Sequence, residues 1–311
     1  MFCESQVNKF FKSTKSFAIF SLIFAALLGA IMGIWVRIMS QHFYNFQQIS
    51  ARAIIGSLIG FVLYSFSKQV NISKFNKISR PDIFYILLRT VSLLIGIGLF
   101  TFAINNGNFS NINMIYALPT TAILGIFFLK EKLTSTKLFA LLLGFFGVIL
   151  ITVKNFSDIS MIGAGEIAAV ISTFFYSISY VSRKFMSKSM NNEEIALIGS
   201  FTMGIFALIV SLMLGNKITN FFTLDWKMLL VVFMAGLTFI LIGVSNNYGF
   251  EHIEAIVANN LLILTPFFGL VIGILVYKEV PTLIGLVGGI LVIISAVIIN
   301  YSENKKLKLV N

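Results

Sequence analysis

The sequence predicts an all-α membrane protein: ten transmembrane helices arranged as two inverted five-helix repeats, over residues 1–155 and 156–311. Three observations predict it. Ten long apolar runs fill the chain, Lys and Arg concentrate in alternate gaps between them, and one residue pattern returns in the second half. At 58% hydrophobic and 11% charged, 311 residues cannot build a solvated surface. A run of roughly 18 or more apolar residues crosses the ~30 Å hydrocarbon core as a helix. In lipid each backbone N–H and C=O needs a partner within its own segment, so helices are the expected form.

The first run, Phe17–Met39, follows a basic stretch. It is too long for a signal-peptide core of about 7–15 residues, and no small-x-small cleavage site follows, so it reads as a retained helix. The second, Phe46–Ser67, opens with polar Gln47 and Gln48 and carries Arg52; the third, Ile83–Asn105, carries Arg89. The fourth, Asn111–Leu129, holds two Asn and Pro119, and the fifth is Leu133–Val153. The sixth, Met161–Ser182, contains Glu166, the one carboxylate placed within an apolar run. Then come Ile195–Leu214, Trp226–Tyr248, Ala255–Tyr277 with Asn259, Asn260 and Pro266, and Thr282–Asn300. The gaps hold no soluble domain.

Charge sets the orientation. With a cytoplasmic N-terminus, sixteen of the 23 Lys and Arg fall on the cytoplasmic side, in the groups around Lys12, Lys74, Lys132, Arg183 and Lys306. Only Lys154, Lys217, Lys227 and Lys278 fall opposite, and Arg37, Arg52 and Arg89 lie inside runs. This positive-inside bias predicts a multi-pass protein of the cell (inner) membrane with both termini cytoplasmic. The net charge of +11 then reflects topology and attraction to anionic membrane lipid, and no nucleic acid partner is implied. The single cysteine, Cys3, excludes an internal disulfide and a cysteine metal cluster.

The repeat pairs Asn113-Met-Ile-Tyr-Ala-Leu-Pro119, followed by Lys130-Glu131-Lys132-Leu133-Thr134, with Asn260-Leu-Leu-Ile-Leu-Thr-Pro266, followed by Lys278-Glu279-Val280-Pro281-Thr282. The offset is about 147–148 residues, near half the chain. Five helices per half is an odd number, so the second half enters the membrane from the other side. Inverted repeats are a recurring construction of secondary transporters, in which the halves exchange conformations to alternate access.

Two five-helix halves, each with Pro in its fourth helix and a Glu-containing turn before its fifth, resemble the drug/metabolite transporter superfamily in its EamA-type branch. The resemblance rests on Leu118-Pro119 to Lys130-Glu131 and Thr265-Pro266 to Lys278-Glu279, with Arg52 matching an Arg common early in the second helix. Lys130 stands where many members have Gly. The resemblance implies a ten-helix carrier with a central cavity lined mainly by helices one, three, four, six, eight and nine, and it places helix two at the periphery. It fixes no substrate. Amino-acid-like metabolites fit, including a cofactor such as S-adenosylmethionine, which related carriers handle.

An Arg at a helix centre costs about 2.5–3.5 kcal/mol to insert, so something must offset it. Arg89 and Arg37 are candidates to bind a substrate carboxylate or phosphate; the alternative is snorkelling to headgroups or capping carbonyls. Arg52 reads as structural. Glu166 can exchange a proton if desolvated, making H⁺ a candidate coupling ion; the alternative is a carboxylate at headgroup level or paired with an Arg. Asn113 and Asn260 occupy matching repeat positions and Asn259 neighbours the second, suiting either a cavity or helix packing. Tyr116 and Tyr176 offer aromatic walls with a polar tip, with Tyr180 nearer the cytoplasmic end. Pro119 and Pro266 are expected to kink their helices. Gly29/Gly33, Gly56/Gly60, Gly269/Gly273 and Gly285/Gly289 permit close helix contact.

No Walker loop and no His-Glu-x-x-His pattern occurs, so neither an ATP-driven pump nor a zinc enzyme is predicted. The Glu251-His252-x-Glu254 cluster reads as a solvated cytoplasmic turn. No catalytic residue, metal site or cofactor is predicted. The expectation is a secondary transporter of a small-molecule substrate, acidic or amino-acid-like, working by alternating access. A non-transporting membrane scaffold or sensor is the alternative.

Overall fold

The computed structural model describes residues 2–67, 79–106, 115–152, 163–187, 190–219, 224–278 and 282–309. The helices are α1 (Phe2–Met39), α2 (Asn45–Phe66), α3 (Arg80–Asn106), α4 (Thr120–Leu129), α5 (Ser135–Thr152), α6 (Ala164–Ser182), α7 (Asn192–Met213), α8 (Trp226–His252), α9 (Ala255–Leu262), α10 (Leu264–Tyr277) and α11 (Leu283–Leu309). Among the described residues nine helical spans are long and apolar enough to cross a membrane, α9 and α10 forming one of them. The tenth predicted span is represented by α4. Its 10 residues rise only ~15 Å, and residues 107–114 of the same run lie outside the described residues. The chain is a multi-pass, all-helical membrane protein. Its outer surface is apolar, with Phe66, Phe127 and Leu275 largely exposed, as a lipid solvent requires.

The helix pairing is unchanged when the halves are exchanged. Helix α1 packs on α8, and its counterpart α6 packs on α3; α2 pairs with its own counterpart α7, and α5 with α11. Two crossings are closed by glycines. A Cβ on Gly56 of α2 would lie 2.5 Å from the Gly236 carbonyl oxygen of α8, and one on Gly288 of α11 would lie 2.5 Å from that of Gly147 in α5. Of the four glycine pairs named from sequence, Gly56/Gly60 makes the tight contact, whereas Gly33 and Gly269 meet nothing within 4 Å.

The two prolines interrupt their spans instead of bending a continuous helix. Pro119 stands just before α4, with ψ 45°, and Pro266 lies in the first turn of α10, after the break at Ile263. A first turn tolerates proline because its N–H has no intrahelical partner there. The carbonyl of Leu262 that Pro266 cannot bond is taken by the Thr265 hydroxyl at 2.8 Å. Each of these helices ends on a lysine in the left-handed region: Lys130 at φ 54° and Lys278 at φ 54°. The same strained cap at matching positions makes the repeat visible in the backbone. The Phe17 part of α1 and the Ser295 part of α11 point to one end of the bundle. Phe17 of α1 meets Tyr248 near the end of α8, and α11 runs from Gly288 beside Gly147 to Ser295 beside Ala140, towards the start of α5. That end also carries Lys130, Lys132, Arg183 and Lys184, and is called the basic end below.

Candidate substrate site and basic-end closure

Between the halves the apolar packing gives way to aromatic and polar side chains. A chain of ring contacts runs from Phe100 through Tyr116, Tyr176 and Tyr180 to Phe250, with centroids 4.5, 5.9, 6.5 and 4.9 Å apart. Tyr176 and Tyr180 project from one face of α6 because they are a helical turn apart. The Tyr116 hydroxyl meets that of Ser172, which donates to the Gly96 carbonyl at 2.7 Å. Trp35 of α1 donates its indole N–H to Thr238 of α8 at 3.1 Å.

Arg89 of α3 reaches across to α8, donating to the Asn247 side-chain oxygen at 2.5 Å, with Met186 sulfur at 3.7 Å. Asn247 donates in turn to the Asn192 carbonyl at 3.1 Å. Arg52 is buried, with its guanidinium 5.8 Å from the centre of the Phe239 ring in α8. Helix α2 is therefore not peripheral at this point, because the Gly56–Gly236 contact seats it against α8.

The other residues singled out from sequence separate. Arg37 is exposed in the last turn of α1. Glu166 is buried in the first turn of α6, where its carboxylate accepts the Gly163 N–H at 3.0 Å; a helix N-terminus favours a negative charge. Asn260 is buried and accepts from Ser295 at 3.0 Å, which ties α9 to α11, while Asn259 is half-buried. Asn113 lies outside the described residues, as does Glu279 of the second Lys-Glu turn. Two side clefts, of about 230 and 320 Å³, lie by the Asn45 end of α2, lined by Phe46 and Gly98 and by Gln47 and Leu208; neither reaches Arg52, Arg89 or the tyrosines.

The basic end is closed by polar contacts, most of which join the halves. The Glu131 carboxylate accepts the backbone N–H groups of Ala255 and Ile256, at 2.7 and 3.0 Å, capping α9 of the opposite half. Lys184 lies 4.0 Å from that carboxylate and donates to the Ile253 carbonyl at 2.5 Å. Lys137, fully buried, forms an ion pair with Glu254. Arg183 pairs with Glu251 at 2.9 Å, and Asp82 of α3 accepts from the Ser187 N–H at 2.8 Å. Glu251 and Glu254 are thus engaged with other elements, not the solvated turn the sequence suggests. Sequence reasoning missed Lys137 as well. It counted as one more loop cation, and nothing local distinguishes it, since its partner is 117 residues away.

Set against known proteins, no curated protein matches the chain. One crystal structure, described only as that of a protein, superposes with a TM-score of 0.76 over 91% of this chain and 96% of its own, at 13% identity, a likeness of fold. The EamA-like transporter family matches residues 16–153 and again 163–301, one match for each five-helix half. The chain belongs to the EamA-like transporter family, and it is a membrane transporter of the drug/metabolite type.

Proposed function

We propose that the protein is a secondary carrier that moves a small organic metabolite, acidic or amino-acid-like, across the cytoplasmic membrane by alternating access. The observation that carries this reading is the exchange symmetry of the helix pairing, combined with cross-half ion pairs gathered at one end. A pair of related halves has two equivalent ways to pack, and contacts that lock one end leave the other as the entrance. In this reading the basic end is cytoplasmic by its charge, and the site is closed towards it. Substrate enters from the opposite face and rests among Arg89, Tyr116, Tyr176 and Asn259, with a proton as the candidate coupling ion. Breaking the Glu131 and Lys137 contacts then opens the basic end.

The test is a thermal-shift screen of purified protein against a metabolite library. It is followed by counterflow of each stabilising compound in proteoliposomes, with and without a proton gradient. Saturable counterflow of at least one stabilising compound is the expected result. Stabilisation with no counterflow of any compound counts against a carrier.

A further inference from the structure

Three cations among the described residues are buried: Arg52, Lys137 and Arg183. Lys137 has Glu254 and Arg183 has Glu251 and Asn192. Arg52 has neither an ion pair nor a hydrogen bond among the described residues, and its Nε is wholly enclosed. A buried charge with no counter-charge is among the most costly arrangements a fold can hold. The Phe239 ring face offsets part of that cost, but it covers one face of a planar group and leaves its N–H edges unanswered. An Arg kept for headgroup contact would be exposed near a helix end, as Arg37 is.

The surroundings supply the rest. Helix α6 stacks its Tyr180 ring on Phe250 of α8, the helix that Arg52 meets at Phe239 and Arg89 at Asn247. Neither tyrosine hydroxyl carries a hydrogen bond among the described residues. Arg89, in contrast, is already held by Asn247, which belongs to the basic-end network. Arg52 on α2 and Tyr176 in the aromatic wall of α6 thus each keep donor capacity that no described residue takes up.

We propose that Arg52, assisted by the Tyr176 hydroxyl, anchors the oxyanion of the transported molecule. This deepens the carrier reading and rests on it. The substrate is a small organic carboxylate or phosphate, its oxygens on the guanidinium fork and its body against Tyr176, Tyr116 and Phe239. The planar fork suits two oxygens of one group, which a lysine ammonium does not match. Arg89, held by Asn247, then joins the substrate site to the closed basic end.

The experiment measures thermal stabilisation of purified full-length protein by benzoate, phenyl phosphate, pyruvate, glutamate and inorganic phosphate, beside uncharged benzamide and benzyl alcohol. Wild type, Arg52→Gln, Arg52→Lys and Tyr176→Phe are compared. Anions alone are expected to stabilise wild type, with affinity falling at least tenfold in Arg52→Gln and less in Arg52→Lys and Tyr176→Phe. If Arg52→Gln does not fold, Arg52→Lys and Tyr176→Phe decide, because both lose donor geometry and neither removes the charge. Equal binding of the uncharged compounds, undiminished anion binding in the variants, or no anion-specific shift across the panel each overturns the anchor. Counterflow separates the two ideas. Arg52-dependent binding without counterflow overturns the carrier and leaves the anchor, whereas counterflow of uncharged compounds, unchanged in Arg52→Gln, does the reverse.

Discussion

At the scale of single residues, the intramembrane cations divide by whether the protein itself answers them. Arg89 donates to Asn247, so it links the halves; among the described residues Arg52 has the Phe239 ring and no hydrogen bond or ion pair. The sequence marks both as costly and leaves them indistinguishable, because the distinction lies in what faces them from other helices. For Arg89→Ala two magnitudes nearly cancel. A hydrogen bond to a charged group, of about 1.5–3 kcal/mol, is lost. The insertion cost of Arg, about 2.5–3.5 kcal/mol at a helix centre, is also removed. The melting temperature is therefore expected to stay near wild type while uptake of an acidic substrate in proteoliposomes falls at least tenfold. Wild-type uptake rates in this variant would exclude Arg89 from both binding and closure. Glu166 shows the opposite limit of reading one residue. As the one carboxylate in an apolar run it suggests proton exchange, and in three dimensions it caps the start of its own helix.

At the scale of elements, the apolar runs set the helices well, because length and composition alone decide what lipid can hold. Their interruptions are subtler. Pro119 and Pro266 are plain in the sequence, yet each sits where a helix starts, with the Thr265 hydroxyl taking the Leu262 carbonyl. The Lys130 cap takes a backbone conformation that favours glycine. A side chain at φ 54° meets its own backbone, a cost of about 1–2 kcal/mol that glycine avoids. Lys130→Gly is expected to raise the melting temperature, the gain held below that figure by the extra freedom of glycine in the unfolded chain. A melting temperature at or below wild type would mean that the Lys130 side chain contributes more than its strain costs. Glycine pairs, in contrast, are poorly legible. Spacing named four, and only the identity of the facing helix shows that Gly56/Gly60 is closely packed.

At the scale of the whole molecule, the exchange-symmetric pairing makes the closed end a property of both halves together. The Glu131 clasp on α9 is its most definite contact, since one carboxylate satisfies two N–H groups at the start of a helix from the other half. Glu131→Ala removes both acceptors, a loss comparable to deleting an N-cap, about 1–2 kcal/mol. Amide hydrogen exchange at Ala255 and Ile256 is expected to speed up, with exchange in the α5–α11 pair unchanged. Unaltered exchange at those two amides would show that other contacts hold the basic end shut.

The sequence by itself determined the spans, the charge asymmetry along them, and the two related halves. All three follow from solvent, length and pattern, which act along the chain. The tertiary structure alone decided which charges are answered and which face inward unanswered. Lys137 meets Glu254, Glu131 meets Ala255, and Arg52 meets the Phe239 ring, because each of these outcomes depends on helices brought together across the centre of the bundle.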